Sequence, residues 1–360
     1  LAAVSHAGQI QVVNLVTNDQ LANPAQITDG NLKNAWGISH SAASPFWVSA
    51  NGSGLSALYS VNPVTNATAK VGLEVTIPGD GSVTGQVFNA AAGTGAFNNN
   101  FFLFVSEDGT ISGWRGALGT TAEILQSPSD AVYKGTTIVT TGGNAYLLSA
   151  NFHAGTIDVL KGNAGAPELP GDFTDPNLPA NYAPFNIERI GNDIFVTYAM
   201  KGAGGEETIG AGLGIVNRFR LDGTLQARVG IGGTLNAPWG LALAPSSFEG
   251  IAGDLLVGNF GDGTINIFNL DTNSFVGQLL DVNDSVIKID GLWALSVGND
   301  AAGGSSSKVY FSAGPNNETN GVFGVLQVVP EPASIVMAVT GGLMLLSFAR
   351  RTRDTRYSST

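Results

Sequence analysis

The stretch Asn236–Leu280 constrains the fold most, because the rest of the chain repeats it. It holds four short apolar runs, at Gly240–Leu243, Asp254–Gly258, Thr264–Asn269 and Phe275–Leu280, separated by Gly, Pro, Asn and Asp. Each run is too short for a helix. In the third, Ile265 and Ile267 alternate with Asn266 and Phe268, as side chains do along a strand. Four strands joined by tight turns make one antiparallel sheet. The opening of this unit, APWGLA, returns as NAWGIS at Asn34–Ser39 and GLWALS at Gly291–Ser296, with weaker counterparts at Thr84–Asn89, Thr136–Val139 and Pro184–Ile187. Its second half, VGNFGDGTINIF (Val257–Phe268), returns as SANFHAGTIDVL (Ser149–Leu160) and FVSEDGTISGW (Phe104–Trp114). A period of roughly fifty residues is that of propeller-type repeats.

The expected fold is therefore all-β: a six-bladed β-propeller over residues 8–329. The last unit, from Asp290 to Val328, shows only three runs. Gln9–Val16 (QIQVVNLV) is the expected fourth strand. Pairing the two ends closes the ring and removes two open sheet edges. The 49 glycines, without collagen period, supply the many turns. Between units, Asn163–Pro184 is Pro-rich and aperiodic, so it reads as a surface excursion carrying at most a short outer strand. Lys201–Gly212 (KGAGGEETIGAG) reads as a flexible loop, with a lid as the sharper alternative.

Charge excludes some partners. The chain carries −12 at pH 7, and without its last thirty-one residues the body holds 12 basic and 26 acidic residues, net −14. Such a body suits neither nucleic acid nor anionic lipid. It holds no Cys, so neither disulfides nor thiolate metal sites are available. With three His, a histidine-built metal centre has little to draw on. No Gly-x-Ser-x-Gly, Walker A or His-Glu-x-x-His motif occurs.

Both ends have a different character. Residues 1–7 (LAAVSHA) have the small-x-small pattern that ends a secretory signal, and are read as its remnant. Ile335–Ala349 is almost wholly apolar and is followed by Arg350, Arg351, Arg353 and Arg356. Fifteen helical residues reach ~23 Å, short of the ~30 Å hydrocarbon core, a gap that snorkelling Arg and local thinning can cover. The expectation is one transmembrane helix over 335–349 with a cytoplasmic C-terminus and the body outside.

Propeller topology brings two sets of loops to one mouth of the central channel: those opening each innermost strand, and those joining second to third strands. The first set carries Asn34, Asn186, Asn236 and Asp290; the second carries Asn51, Glu107, Asp108, Asn151, His153 and Asn259. These oxygen donors form the expected ligand site. Oxygen-rich flexible cages suit Ca²⁺, and Glu107, Asn151, Asn259 and Asp290 are the candidate metal ligands. Against this stands turn chemistry, since Asn and Asp before Gly bond their own backbone without any ligand. Candidate catalytic groups are His153, Glu107 and Asp290, with His153 open between general base and turn-tip residue. Trp36, Trp239 and Trp293 recur where blades begin and read first as packing between blades, second as a sugar platform.

Pro330-Glu331-Pro332, the apolar segment and the Arg cluster at Arg350 and Arg351 resemble the PEP-CTERM sorting signal of Gram-negative bacteria, over residues 330–360. The body resembles an uncharacterised family of exported β-propeller proteins that often bear this tail. The stretches that carry this are NLVTNDQ (Asn14–Gln20), NAWGIS, SEDGTISGW, ANFHAGTIDV, FTDPNLPANYAPFNI (Phe173–Ile187), NAPWGLALAP, VGNFGDGTIN, IDGLWAL and SAGPNNETNGVFG. The resemblance implies export, anchoring in the inner membrane through the C-terminal helix, processing by an exosortase, and a final address at the cell surface or extracellular matrix. It implies a setting of exopolysaccharide. The expected function is a non-catalytic binding or scaffold protein linked to exopolysaccharide. The alternative is a Ca²⁺-dependent lactonase-like hydrolase or lyase acting at the channel mouth, because propeller lactonases hold their metal with a comparable set of carboxylates and amides.

Overall fold

A computed structural model describes residues 9–329. They form six sheets, antiparallel throughout except for one short added strand, and no α-helix. The expected signal remnant, residues 1–7, and the sorting segment 330–360 with its helix at 335–349 lie outside the described residues. Among the described residues no helix is long and apolar enough to cross a membrane.

Chain order gives β1 (Gln9–Thr17) and β2 (Ile27–Thr28), then the blades. Blade 1 is β3 (Ala35–Ser39), β4 (Phe46–Ala50), β5 (Leu55–Val61) and β6 (Thr68–Thr76). Blade 2 is β7 (Val83–Phe88), β8 (Phe102–Ser106), β9 (Ile111–Trp114) and β10 (Glu123–Gln126). Blade 3 is β11 (Tyr133–Thr141), β12 (Asn144–Asn151) and β13 (Thr156–Lys161). Blade 4 is β14 (Tyr182–Ile190), β15 (Asp193–Lys201), β17 (Ile215–Arg220) and β18 (Leu225–Ile231), with the two-residue β16 (Glu207–Thr208) folded back on β15. Blade 5 is β19 (Pro238–Leu243), β20 (Leu255–Asn259), β21 (Ile265–Asn269) and β22 (Ser274–Gln278). Blade 6 is β23 (Leu292–Val297), β24 (Val309–Ala313) and β25 (Val322–Val329).

The ring closes as the sequence requires. β1 pairs antiparallel with β25, from Gln9 opposite Val329 to Thr17 opposite Val322, with one irregularity between Asn14 and Val16. β2 then adds parallel to β1, an extension the repeat pattern does not announce. Blade 3 has three strands. The excursion after it packs Ala166 and Phe173 into the core between blades 3 and 4, and binds the β17–β18 turn through Gly171 N–H to Asp222 O at 2.8 Å. It supplies no outer strand.

Apolar side chains fill the spaces between neighbouring blades in separate clusters, each fed by alternate residues of facing sheets. Innermost strands approach closely where one residue lacks a side chain. A Cβ on Gly135 of β11 would overlap the Asn186 side-chain oxygen and lie 2.7 Å from its Cα on β14. Gly135→Ala is therefore expected to cost about 1–3 kcal/mol through overpacking. A urea midpoint lower than wild type at unchanged m-value is the check.

Candidate functional site

The two loop sets meet at one mouth, as the topology demands. Asn34 precedes β3 in the left-handed region, at φ 45°, which Asn tolerates better than most residues. Its side chain is buried. Its Oδ1 accepts from Trp293 Nε1 at 2.9 Å, and its Nδ2 donates to Asn51 Oδ1 at 3.3 Å and Glu318 Oε2 at 2.7 Å. Asn51 Nδ2 donates to Glu107 Oε2 at 3.4 Å. Glu107 Oε1 accepts from Lys134 Nζ at 2.5 Å, and Lys134 also reaches Glu206 at 2.9 Å and Glu207 at 3.6 Å. One polar chain thus joins blades 6, 1, 2, 3 and 4.

Lys134 is its centre. The first residues of β11 carry it to the mouth, where its side chain is 2% exposed. Its ammonium lies 5.4 Å over the Trp36 ring and 5.9 Å from that of Phe152. Burial opposes its charge, but Glu107 and Glu207 outweigh burial and hold its pKa above the ordinary lysine value. Desolvation raises the pKa of Glu207 against the pull of Lys134, with Glu206 and Glu107 adding to the rise. Desolvation likewise raises that of Glu318, opposed by its bond from Asn34 and reinforced by Glu207 and Glu107. The mouth is acidic, and among the described residues one buried cation, Lys134, locks it.

Beneath this layer the channel is filled. Trp293 stacks on Trp36 at 3.6 Å and on Phe260 at 3.9 Å, and Trp239 and Phe185 meet it at 6.1 and 5.9 Å. Trp36 and Trp293 are buried, so the packing reading of these tryptophans holds and they offer no open sugar platform. The Nε1 groups of Trp36 and Trp239 have no partner.

The other sequence candidates are engaged locally. Asn236 and Asn259 belong to one turn network: Asn259 Oδ1 accepts from the Asn236 N–H, and both amides donate to Asp262. Asn236 Oδ1 also accepts from the Gly210 N–H at 2.6 Å. Asn151 caps its own turn, accepting from the Val132 and Ala154 N–H groups and donating to Asp158. Asn186 donates to the Trp239 carbonyl at 2.7 Å. Asp108 accepts from the Asp80 and Thr110 N–H groups, each at 2.8 Å. Asp290 accepts from the Asn316 N–H at 2.9 Å. His153 is exposed at its turn tip, and it is its carbonyl that accepts from Lys201 Nζ at 2.7 Å.

Asn34, Asn51 and Glu107 are therefore brought into one hydrogen-bonded group. Glu107, Asn151, Asn259 and Asp290, the candidate Ca²⁺ ligands, are not; each bonds a different set of partners. Among the described residues no three His, Asp or Glu side chains are arranged to hold a metal ion. Lys134 stands among these oxygen donors, in contact with Glu107, Glu206 and Glu207. Lys134, Glu206, Glu207 and Glu318 are the mouth residues that sequence reasoning passed over. A signal existed for two of them: Glu206 and Glu207 lie in the Lys201–Gly212 segment, read as a flexible loop with a lid as the alternative.

No family model matches the chain. It is 30% identical over 298 residues to the uncharacterized protein R648 of Acanthamoeba polyphaga mimivirus, covering 76% of this chain and 70% of that protein. The uncharacterized protein L690 of the same virus is 35% identical over 204 residues, and the chain spans 51% of it. Among solved structures, streptogramin B lyase aligns at TM-score 0.48 with 12% identity, over 91% of this chain and all of that one. A chain of the nidogen/laminin complex aligns at TM-score 0.40 with 15% identity, over 59% of this chain and 69% of that one. At these scores neither likeness bears on chemistry, and the propeller assignment rests on the strand pairing itself. By identity and coverage, the chain belongs to the family of the mimivirus protein R648.

Proposed function

We propose that the protein is an exported binding or scaffold propeller that takes a polar ligand of the envelope, such as exopolysaccharide, at its channel mouth. The observation that carries this reading is the Lys134 network. Its carboxylates are held by a buried ammonium above a filled channel, which makes a rigid polar surface suited to recognition. Such preorganised hydrogen-bonding groups discriminate hydroxyl patterns without turnover. The test is equilibrium binding of isolated exopolysaccharide fragments to residues 9–329, with Glu107→Gln and Asn51→Ala as probes. Glu107→Gln is expected to weaken binding about tenfold, through loss of a charged hydrogen bond, and Asn51→Ala about threefold to tenfold, through loss of a neutral one. Wild-type affinity in both would remove the mouth as the site.

The same proposal keeps the address: Pro330, Glu331 and Pro332, the apolar segment and the Arg cluster serve as an exosortase sorting signal. A chain lacking residues 330–360 is expected to lose membrane retention in cell fractionation. Unaltered retention would sink the sorting role.

One observation favours the hydrolase or lyase reading. Desolvation raises the pKa of Glu318 and of Glu207, the direction that lets a carboxyl hold its proton as a general acid. On that reading lactone turnover appears with added Ca²⁺ and vanishes in Glu107→Gln and Asp290→Asn. Calorimetry showing no Ca²⁺ uptake, together with no turnover, would end it.

A further inference from the structure

Blade 3 is the only one of the six sheets left at three strands among the described residues. β13 pairs with β12 along its whole length, and no described strand meets its other edge. The chain leaves β13 and runs over to blade 4 instead. What remains is a cavity of about 590 Å³ along Gly155–Leu160, walled by Gln126 and Pro128 of blade 2 on one side and by Asp172, Thr174 and Leu178 of the excursion on the other. This is the space a fourth strand fills in blades 1, 2, 4 and 5. Val159, mid-strand, is 38% exposed there.

An uncovered strand edge presents unpaired N–H and C=O groups and is a template for strand addition. Six residues of β13 offer roughly 20 Å of edge, the length of an ordinary strand. Charge decides what fits. Asp158, Asp172 and Asp175 line the cavity and no Lys or Arg does. Arg228 is spent on Asp175. Asp158 accepts only neutral donors, from Tyr133, Asn151 and Thr156, and Asp172 is exposed.

We propose that the open edge of β13 docks an extended, basic peptide segment of a partner protein, which adds as the fourth strand of blade 3. Main-chain bonds to β13 supply the affinity, apolar side chains of the segment cover Val159, and its basic side chains meet Asp158 and Asp172. No residue lining this cavity belongs to the Lys134 network, so the proposal stands or falls independently of the function proposed above.

The test uses the full chain and three capped octapeptides: one alternating valine and lysine, one alternating valine and glutamate, and the first with every second amide N-methylated. The lysine peptide is expected to bind at least about tenfold more tightly than the glutamate peptide, as charge complementarity demands. N-methylation is expected to abolish binding, because it removes the ladder donors. Bound peptide is expected to slow amide hydrogen exchange at Ile157–Lys161, and the exposed substitution Val159→Lys to weaken binding about tenfold by placing like charge on the edge. Equal affinity for both charged peptides, or protection elsewhere than β13, would overturn the proposal. So would an edge already protected without peptide, which means that this chain covers it, or a dimer abolished by Val159→Lys, which makes a second copy the occupant.

Discussion

Lys134→Met is expected to lower the stability of the propeller by about 3 kcal/mol near neutral pH, the low end of the cost of stripping one partner from a buried ion pair. The low end applies because Glu206 is 72% exposed and solvent screens its share; Glu207, 10% exposed, and Glu107 carry the loss. Methionine keeps the length and the apolar contact with Trp36 and Phe152, so what disappears is the charge. The pH dependence separates this from packing. In the wild type the raised lysine pKa contributes stability fully present below about pH 10.5 and lost only as pH rises through the higher folded-state value, so Lys134 leaves the neutral range flat. In the variant the glutamates repel one another without a cation. Glu207 and Glu318, whose pKa values are already raised, are then expected to take up protons first as the pH falls. The deficit should therefore shrink between pH 8 and pH 5. Adding Glu207→Gln to Lys134→Met should recover part of it at pH 8 in a double-mutant cycle. Urea unfolding at both pH values reads the result. An equal deficit at both, with no recovery in the double variant, would mean that Lys134 acts through contacts other than its charge.

How much of this could be read in the sequence differs from element to element. The blades were legible because each carries its own punctuation: the Gly and Asn turns around Ile265–Asn269 recur around Ile111–Trp114 and Thr156–Lys161 in the same phase. Closure by β1 followed from counting three runs in the last unit. The shared mouth followed from topology, and Asn34, Asn51 and Glu107 do meet there. Lys134 was not legible. In YKGTT it reads as one polar residue of a strand, and only ring closure puts it among carboxylates from blades 2 and 4. Glu206 and Glu207 were hidden for a related reason. A Gly-rich loop reads as mobile, but β16 pairs back on β15 and anchors it, with Lys201 opposite Glu207. Asn151 and Asn259 show the opposite case: each bonds its own turn, as the turn chemistry weighed against ligand binding expects, and spends its remaining capacity on a neighbouring loop, Asn151 on Val132 and Asn259 on Thr234 and Asn236.

Glu188→Gln is expected to stabilise the protein at alkaline pH and to do little in acid. Glu188 lies on innermost strand β14 and is half-buried, and it has no hydrogen-bond or ionic partner among the described residues. It shares its strand face with Ile190, which packs against the apolar cluster of Phe195, Leu241 and Leu243 between blades 4 and 5. Desolvation in those surroundings raises its pKa from 4.5 to about 8. The folded state therefore holds this proton more tightly than the unfolded chain does. Its contribution is fully present below about pH 4.5 and is lost as the pH rises toward 8, where folding must accept an unpaired charge. At about 1.4 kcal/mol per pKa unit the full loss is near 5 kcal/mol, and partial contact with solvent brings the expected figure to about 2–4 kcal/mol. Glutamine has nearly the shape of the protonated acid and cannot ionise. Its stability curve should run level with wild type at pH 4.5 and diverge upward from it between pH 5 and 8, then run parallel above pH 9. Urea unfolding across that range decides the matter. A constant offset between the two curves would show that Glu188 keeps an ordinary pKa and that water, rather than apolar side chains, surrounds its carboxylate.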